Sequence, residues 1–272
     1  MRRAALLLTA LAAVASAASL SAPVKPALTE AENAAVRLAS ERGALLYAYD
    51  RAAWVATDDL RAKLSGSAQK IGGWIVDGPI NQAQIVFYDQ DASDPHILYS
   101  ATVVGGKVIA SRVLGPGDDR SLSPARKAMV AALRSATASL VAAKVSVCNK
   151  AQSLNPVVLP AAGPGEPILV YFLNPQTNLN VVPLGGHYRV AVGADGRAGA
   201  PRRFMNSCME MPISGTRGTP EALVVSHVLD PVPTEIHVFS SLVARLPLFV
   251  PIGRNRVWVV DGPRIRPVAK KK

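Results

Sequence analysis

The chain has 272 residues, with 30 Lys and Arg against 19 Asp and Glu, a formal net charge of +11, 49% hydrophobic residues and only 2 Cys. This is the composition of a chain that buries a sizeable core, and it excludes collagen-like, coiled-coil and disulfide-dense architectures.

Arg2 and Arg3 precede an apolar run from Ala4 to Val14, and Ala15-Ser16-Ala17 offers a small-residue cleavage site, so residues 1–17 read as a secretory signal peptide. The apolar run is too short for the roughly 20 residues a bilayer span needs, which argues for a cleaved leader over an anchor. No Cys follows the cleavage site, so lipidation is not expected. The expectation is a soluble mature protein starting near Ala18, about 255 residues long, periplasmic or secreted. Loss of Arg2 and Arg3 lowers the charge from +11 to +9, and outside the cytoplasm a basic protein meets anionic envelope surfaces before nucleic acid. Nucleic acid is therefore not an expected partner, and no later stretch reads as a transmembrane segment.

After the Ser19–Pro26 lead, Thr29 and Glu32 have capping-box spacing, and Ala31, Ala35, Leu38 and Ala39 recur at helical spacing. A first helix starts here; Gly43 either ends it or weakens it. Gly73–Asp77, Gln84–Asp89, Ile97–Val104 and Lys107–Leu114 are rich in Val, Ile, Tyr and Phe and read as strands. Gly105-Gly106 supplies a two-residue hairpin turn, making this sheet antiparallel. Ser123 then caps, and Pro124 opens, a second helix running to about Lys144, with Ala125, Met129, Leu133, Ala136 and Leu140 on one face.

Strands are expected again at Pro156–Leu159, Ile168–Leu173, His187–Val192, Gly199–Phe204, Leu223–Leu229, Glu235–Leu242 and Val257–Val260, with a turn at Asp195-Gly196. Two long helices separated by runs of strands argue for an α+β fold with antiparallel sheets. The organisation is then residues 18–148 as a helix-plus-sheet region and 149–272 as a strand-rich region with a basic tail, either as two halves or around one shared core. Cys148 and Cys208 are an even pair in an exported chain, so a disulfide between them is expected; neither C-x-x-C nor zinc-type Cys-His spacing competes.

Phosphate-loop, dinucleotide, H-E-x-x-H and G-x-S-x-G motifs are absent, and Gly72-Gly73 and Gly185-Gly186 lead into no helix that could receive an anion. No organic cofactor is expected. His187, His227 and His237, with Glu235, fall on expected strands. Glu235 and His237 would share one strand face, a pattern compatible with an acid/base cluster or a divalent metal site. Ser226 cannot use His227 as its base, because neighbours in a strand face opposite sides. Asp50, Asp58 and Asp59 near Trp54 form a weaker carboxylate group compatible with a sugar cleft. Toward the end, Arg245, Arg254, Arg256, Arg264, Arg266 and Lys270–Lys272 are opposed only by Asp261. They read as a solvated edge and tail, or as a contact for an anionic surface.

Gly185-Gly186-His187-Tyr188-Arg189, Val225–Asp230, Pro233–Phe239 and Tyr49–Trp54 resemble segments of a family of uncharacterised exported proteins of Gram-negative bacteria. The resemblance covers most of the mature chain and implies export, with no activity or ligand attached. The leading expectation is a periplasmic binding or interaction protein contacting an envelope component. The alternative is a metal-dependent or acid/base hydrolase using His187, His227, Glu235 and His237.

Overall fold

In the computed structural model, residues 28–64, 71–214, 218 and 220–268 are described. The signal segment, the Ser19–Pro26 lead and Lys270–Lys272 lie outside them. α1 (Glu30–Lys63) begins at the expected capping box: Oγ1 of Thr29 accepts the Glu32 N–H at 3.1 Å, and the Glu32 carboxylate accepts the Thr29 N–H at 3.0 Å. Gly43 does not end the helix. It sits where α3 crosses, since a Cβ there would lie 2.5 Å from the Val238 Cβ and 2.6 Å from the Glu235 carbonyl oxygen.

β1 (Ile71–Asp77), β2 (Ala83–Asp89), β3 (Ile97–Val104) and β4 (Lys107–Val113) form an antiparallel meander in that order. The β3–β4 turn has φ of +56° and +74° at Gly105 and Gly106, as a primed hairpin turn requires. α2 (Pro124–Ala142) starts with the Ser123 hydroxyl accepting the Arg126 N–H. β5 (Asn155–Leu159), β6 (Ile168–Leu173), β7 (Val181–Pro183), β8 (Tyr188–Val192), β9 (Arg202–Arg203) and β10 (Glu210–Pro212) follow. They form a sheet of order β5-β6-β8-β9 and a β10-β7 ribbon. A last sheet takes β11 (Leu223–Val224), β12 (Leu248–Ile252), β13 (Arg256–Asp261) and β14 (Arg264–Pro267). The β11–β12 pair is parallel, because α3 (Glu235–Ala244) forms the crossover between them; every other strand pair is antiparallel. The fold class is α+β.

Glu235–Leu242 is thus helix, where the residue types suggested a strand. Two other expected strands are shorter than expected: Gly199–Phe204 keeps Arg202–Arg203, and Leu223–Leu229 keeps Leu223–Val224 plus one bridge from His227 to Ile252.

Alternate residues of the strands face opposite ways. Ile85 and Phe87 of β2 join Tyr171 and Leu173 of β6 in a core beneath α1, whereas Val86 and Tyr88 join Val170 and Phe172 in a core beneath α2. The β1–β4 and β5–β9 sheets therefore act as one layer between two helices. A third core gathers Leu223, Val225, Leu248, Val250, Trp258 and Val260 against Val238 of α3. Cys148 and Cys208 are disulfide-bonded, with an Sγ–Sγ distance of 2.13 Å. Gly186 packs on this bridge: its φ is +78°, and a Cβ would come 2.3 Å from the Cys148 Sγ. Among the described residues, no helix is long and apolar enough to cross a membrane.

Candidate functional site

On β8 and β9, Arg189 and Arg202 are directly opposed cross-strand neighbours. Like charges in that relation are destabilising unless something neutralises them. Both guanidinium groups lie over the ring of Phe204, at 5.8 and 4.7 Å from its centroid, and Phe204 in turn stacks on Tyr171. The neutralising charges come from one short stretch before and into α3. Arg189 donates to the Glu235 carboxylate at 2.5 Å, which also accepts the Tyr171 hydroxyl at 3.0 Å; Arg202 donates to Asp230 at 2.6 Å. Pro231 and Pro233 stiffen the stretch between the two carboxylates.

The other Asp230 oxygen bonds Nε2 of His227 at 2.9 Å. Burial pushes the Asp230 carboxyl up, but the His227 hydrogen bond and the Arg202 charge outweigh it and hold Asp230 below the usual carboxylate range. Burial lowers the Arg189 guanidinium, yet Glu235 reverses the direction and leaves it above its ordinary value. Tyr171 is pushed well up by burial, reinforced by the Glu235 charge.

His227 meets His237 edge to face, with ring centroids 4.6 Å apart. His237 occupies the third position of α3, where its Nδ1 accepts the Thr234 N–H at 3.0 Å; its buried Nε2 has no partner among the described residues. The proton of the neutral ring therefore resides on Nε2. Burial depresses His237 to about 3, with the neighbouring His227 acting in the same direction and Asp230 against it. His187 is separately satisfied: its Nδ1 accepts the Asn174 N–H, its Nε2 donates to the Pro183 carbonyl, and its ring meets Phe239 rather than His237 edge-on. Burial lowers it to about 4.

The four sequence candidates are thus placed unequally. His227 and His237 come together, Glu235 faces Arg189 and Tyr171, and His187 serves backbone groups. Because residues 235 and 237 are helical, they do not share a face, and the tautomer of His237 is fixed by the Thr234 N–H in place of Glu235. Among the described residues, no group of three or more His, Cys, Asp and Glu side chains is arranged to hold a metal ion.

Elsewhere the carboxylates near Trp54 diverge. Asp50 accepts a hydrogen bond from Asn155, Asp58 pairs with Arg61, and Asp59 accepts from Tyr99 and Ser111. Burial raises Asp50 to about 6, with Arg51 and Asn155 opposing. Trp54 is exposed, with the Arg51 guanidinium over its ring at 3.8 Å. The basic end is also less open than its sequence implies, since Arg256 is tied to Glu32 of α1.

What the sequence did not reveal is a cleft between α1 and the stretch leading into α3, about 170 Å³ in volume. Three cations line it, Arg42, Arg189 and Arg202, with Asp230 and Glu235; its apolar wall includes Leu38, Ala39 and Val232. The two carboxylates are engaged by Arg189 and Arg202, and Arg42 has no ion-pair partner among the described residues. His227 lines a second pocket of about 140 Å³, with Met205, Asn206 and Ser207. No family model matches the chain, and no curated protein matches it in sequence.

Proposed function

We propose that this protein is exported to the periplasm and acts there as a binding protein that holds a small ligand in the arginine-lined cleft. The observation that carries the reading is the directly opposed Arg189–Arg202 pair at a concave surface. A fold needs no like-charge pair across a strand ladder, whereas a few converging polar groups in an apolar recess are what ligand recognition uses. Export draws on the Arg2–Ala17 pattern and on the Cys148–Cys208 bridge, which persists in an oxidising compartment.

Two measurements test this. N-terminal sequencing of periplasmic protein is expected to begin at or near Ala18; an intact Met1 end there would refute processing. Calorimetric titration of the purified protein with small organic acids, amines and neutral polar molecules is expected to find at least one that binds wild type and fails to bind Arg42→Ala. An acid/base reading draws on a different observation, the Asp230-oriented His227 beside its own pocket. It requires hydrolysis of some ester or amide that His227→Gln abolishes while the variant stays folded.

A further inference from the structure

We infer that the ligand of the cleft is a short-chain monocarboxylate, its carboxylate on the arginine side and its hydrocarbon body against Leu38, Ala39 and Val232; the inference rests on the binding reading above. Charge is the first argument. Three guanidinium groups and two carboxylates leave the lining one positive charge in excess, so a monoanion neutralises the cleft, whereas a dianion leaves it negative and a neutral molecule leaves it positive. In a partly desolvated recess an uncompensated charge is costly, so the neutral and dianionic alternatives are disfavoured.

The donor inventory points the same way. A guanidinium carries five N–H donors in a planar fork suited to carboxylate. Arg189 uses one nitrogen on Glu235 and Arg202 one on Asp230, while Arg42 makes no hydrogen bond among the described residues. Donors therefore remain on all three, and Arg42 is the one whose charge is unclaimed.

Size sets the limit on the rest of the molecule. Ligand sites for drug-sized molecules and cofactors are typically about 300–1,000 Å³, so a cleft of about 170 Å³ cannot enclose a nucleotide, an oligosaccharide or a whole lipid. A ligand enclosed there is a small molecule of only a few carbon and oxygen atoms. Butyrate and valerate have that size, and their alkyl chains suit a wall of Leu, Ala, Val and Pro side chains.

The test is calorimetric titration of the full mature protein with butyrate, valerate, butyramide and inorganic phosphate at pH 7 and low salt. Butyrate or valerate is expected to bind at least tenfold more tightly than butyramide, as loss of one charge-assisted contact implies. Arg42→Ala should weaken the carboxylate at least tenfold while leaving thermal unfolding unchanged, since Arg42 holds no other group among the described residues. Arg42→Lys should recover part of the loss. If butyramide binds as well as butyrate, or phosphate binds more tightly than either acid, the monocarboxylate assignment is wrong while the binding reading stands. If none of the four binds but another small molecule does so in an Arg42-dependent way, the assignment again fails alone. If nothing binds in the cleft at all, both fall.

Discussion

In the β1–β4 sheet the ionised side chains sit at the rim. Arg126 ties α2 to Asp77 at 2.8 Å and Arg120 reaches Asp89 at 3.4 Å, and each of these four side chains keeps between 22 and 26% of its surface in water. Around β8 and α3 the Arg189–Glu235 pair and His227 sit deeper: the Glu235 side chain is 6% exposed, Arg189 16% and His227 1%, whereas Arg202 and Asp230 stay as open as the rim pairs, at 34 and 23%. Rim pairs of this kind are easily exchanged and contribute little. Buried ones are taken out of water at a cost that their attraction only partly offsets, so a fold gains little by placing them there. The contrast teaches where chemistry beyond folding resides: in the region that carries the costly arrangement, which is also the region that lines the cleft.

The sharpest way to break this comparison is to remove one carboxylate from each region. Glu235→Ala strands a buried guanidinium and leaves the Tyr171 hydroxyl without its acceptor, so it is expected to cost about 3–5 kcal/mol. Asp77→Ala removes a more exposed partner and is expected to cost about 1 kcal/mol. Urea unfolding of both variants measures the difference; equal costs would mean that the two regions manage charge alike.

Acidification separates the regions by pH window. His187 and His237 have folded-state values of about 4 and about 3, depressed from 6.5. The unfolded chain therefore binds more protons than the folded one once pH drops below about 6.5, and stability falls with pH down to those values. Each imidazole should cost about 2 kcal/mol at pH 5 relative to pH 7. Asp50 acts in the opposite sense, because its raised carboxyl takes up a proton in the folded state first and relieves destabilisation as pH falls below about 6. Two imidazoles outweigh one carboxyl, so the urea midpoint is expected to be lower at pH 5, and His237→Gln should reduce the dependence. Asp59, whose Tyr99, Ser111 and Lys63 bonds overcome burial and hold it below its ordinary value, contributes only at lower pH, as its carboxylate protonates below about 3.8. A midpoint that rose between pH 7 and pH 5 would show the histidines titrating normally.

The same divide governs what was legible. The β1–β4 meander could be read because its strands alternate, its turns are glycine-marked and its neighbours are consecutive. α3 could not: residues 235–241 are buried all round, so no apolar stripe stands out, and Ile236, Val238 and Phe239 are strand-favouring types. Its true signal is the Pro233-Thr234 start. The second half of α1 was obscure for a different reason, since its buried stripe through Gly43, Leu46, Tyr49, Ala53, Ala56 and Leu60 keeps helical spacing but is built largely from small residues. His227 and His237 were singled out from residue type, yet the cleft itself joins Arg42 of α1, two strands and the approach to α3, and no local spacing encodes that meeting.

Gly43 probes how closely the two regions are coupled. α1 runs from the third core to the face of the β1–β4 sheet, and Gly43 lets α3 cross it at a separation no side chain permits. Gly43→Ala improves local helix propensity by about 1 kcal/mol, but its methyl group meets Val238 and a backbone oxygen that cannot swing aside. A net loss of about 1–2 kcal/mol is expected from overpacking, with reduced cleft binding because Leu38, Ala39 and Arg42 move relative to Glu235. Thermal and urea unfolding together with titration of the cleft check it; a stabilised variant would mean that α3 can yield at this crossing.

The smallest effect contrasts the two helix starts. Thr29→Ala and Ser123→Ala each remove an N-cap side chain, for which about 1 kcal/mol is typical. The two caps differ in what lies behind them. Glu32, the reciprocal partner of Thr29, also holds Arg256 on β13, and the Arg256 hydrogen bond is the main reason its carboxyl is drawn down to about 2. The Thr29 cap therefore shares a partner with a tie between α1 and the last sheet, whereas among the described residues the Ser123 hydroxyl serves only the N–H of Arg126 in its own helix. Double-mutant cycles with Arg256→Ala are expected to show a coupling above the roughly 0.3–0.5 kcal/mol of independent sites for Thr29→Ala, and none beyond that for Ser123→Ala. Additivity in both cycles would mean that Glu32 caps α1 equally well whether or not Arg256 holds it, and that the start of α1 is as local a feature as the start of α2.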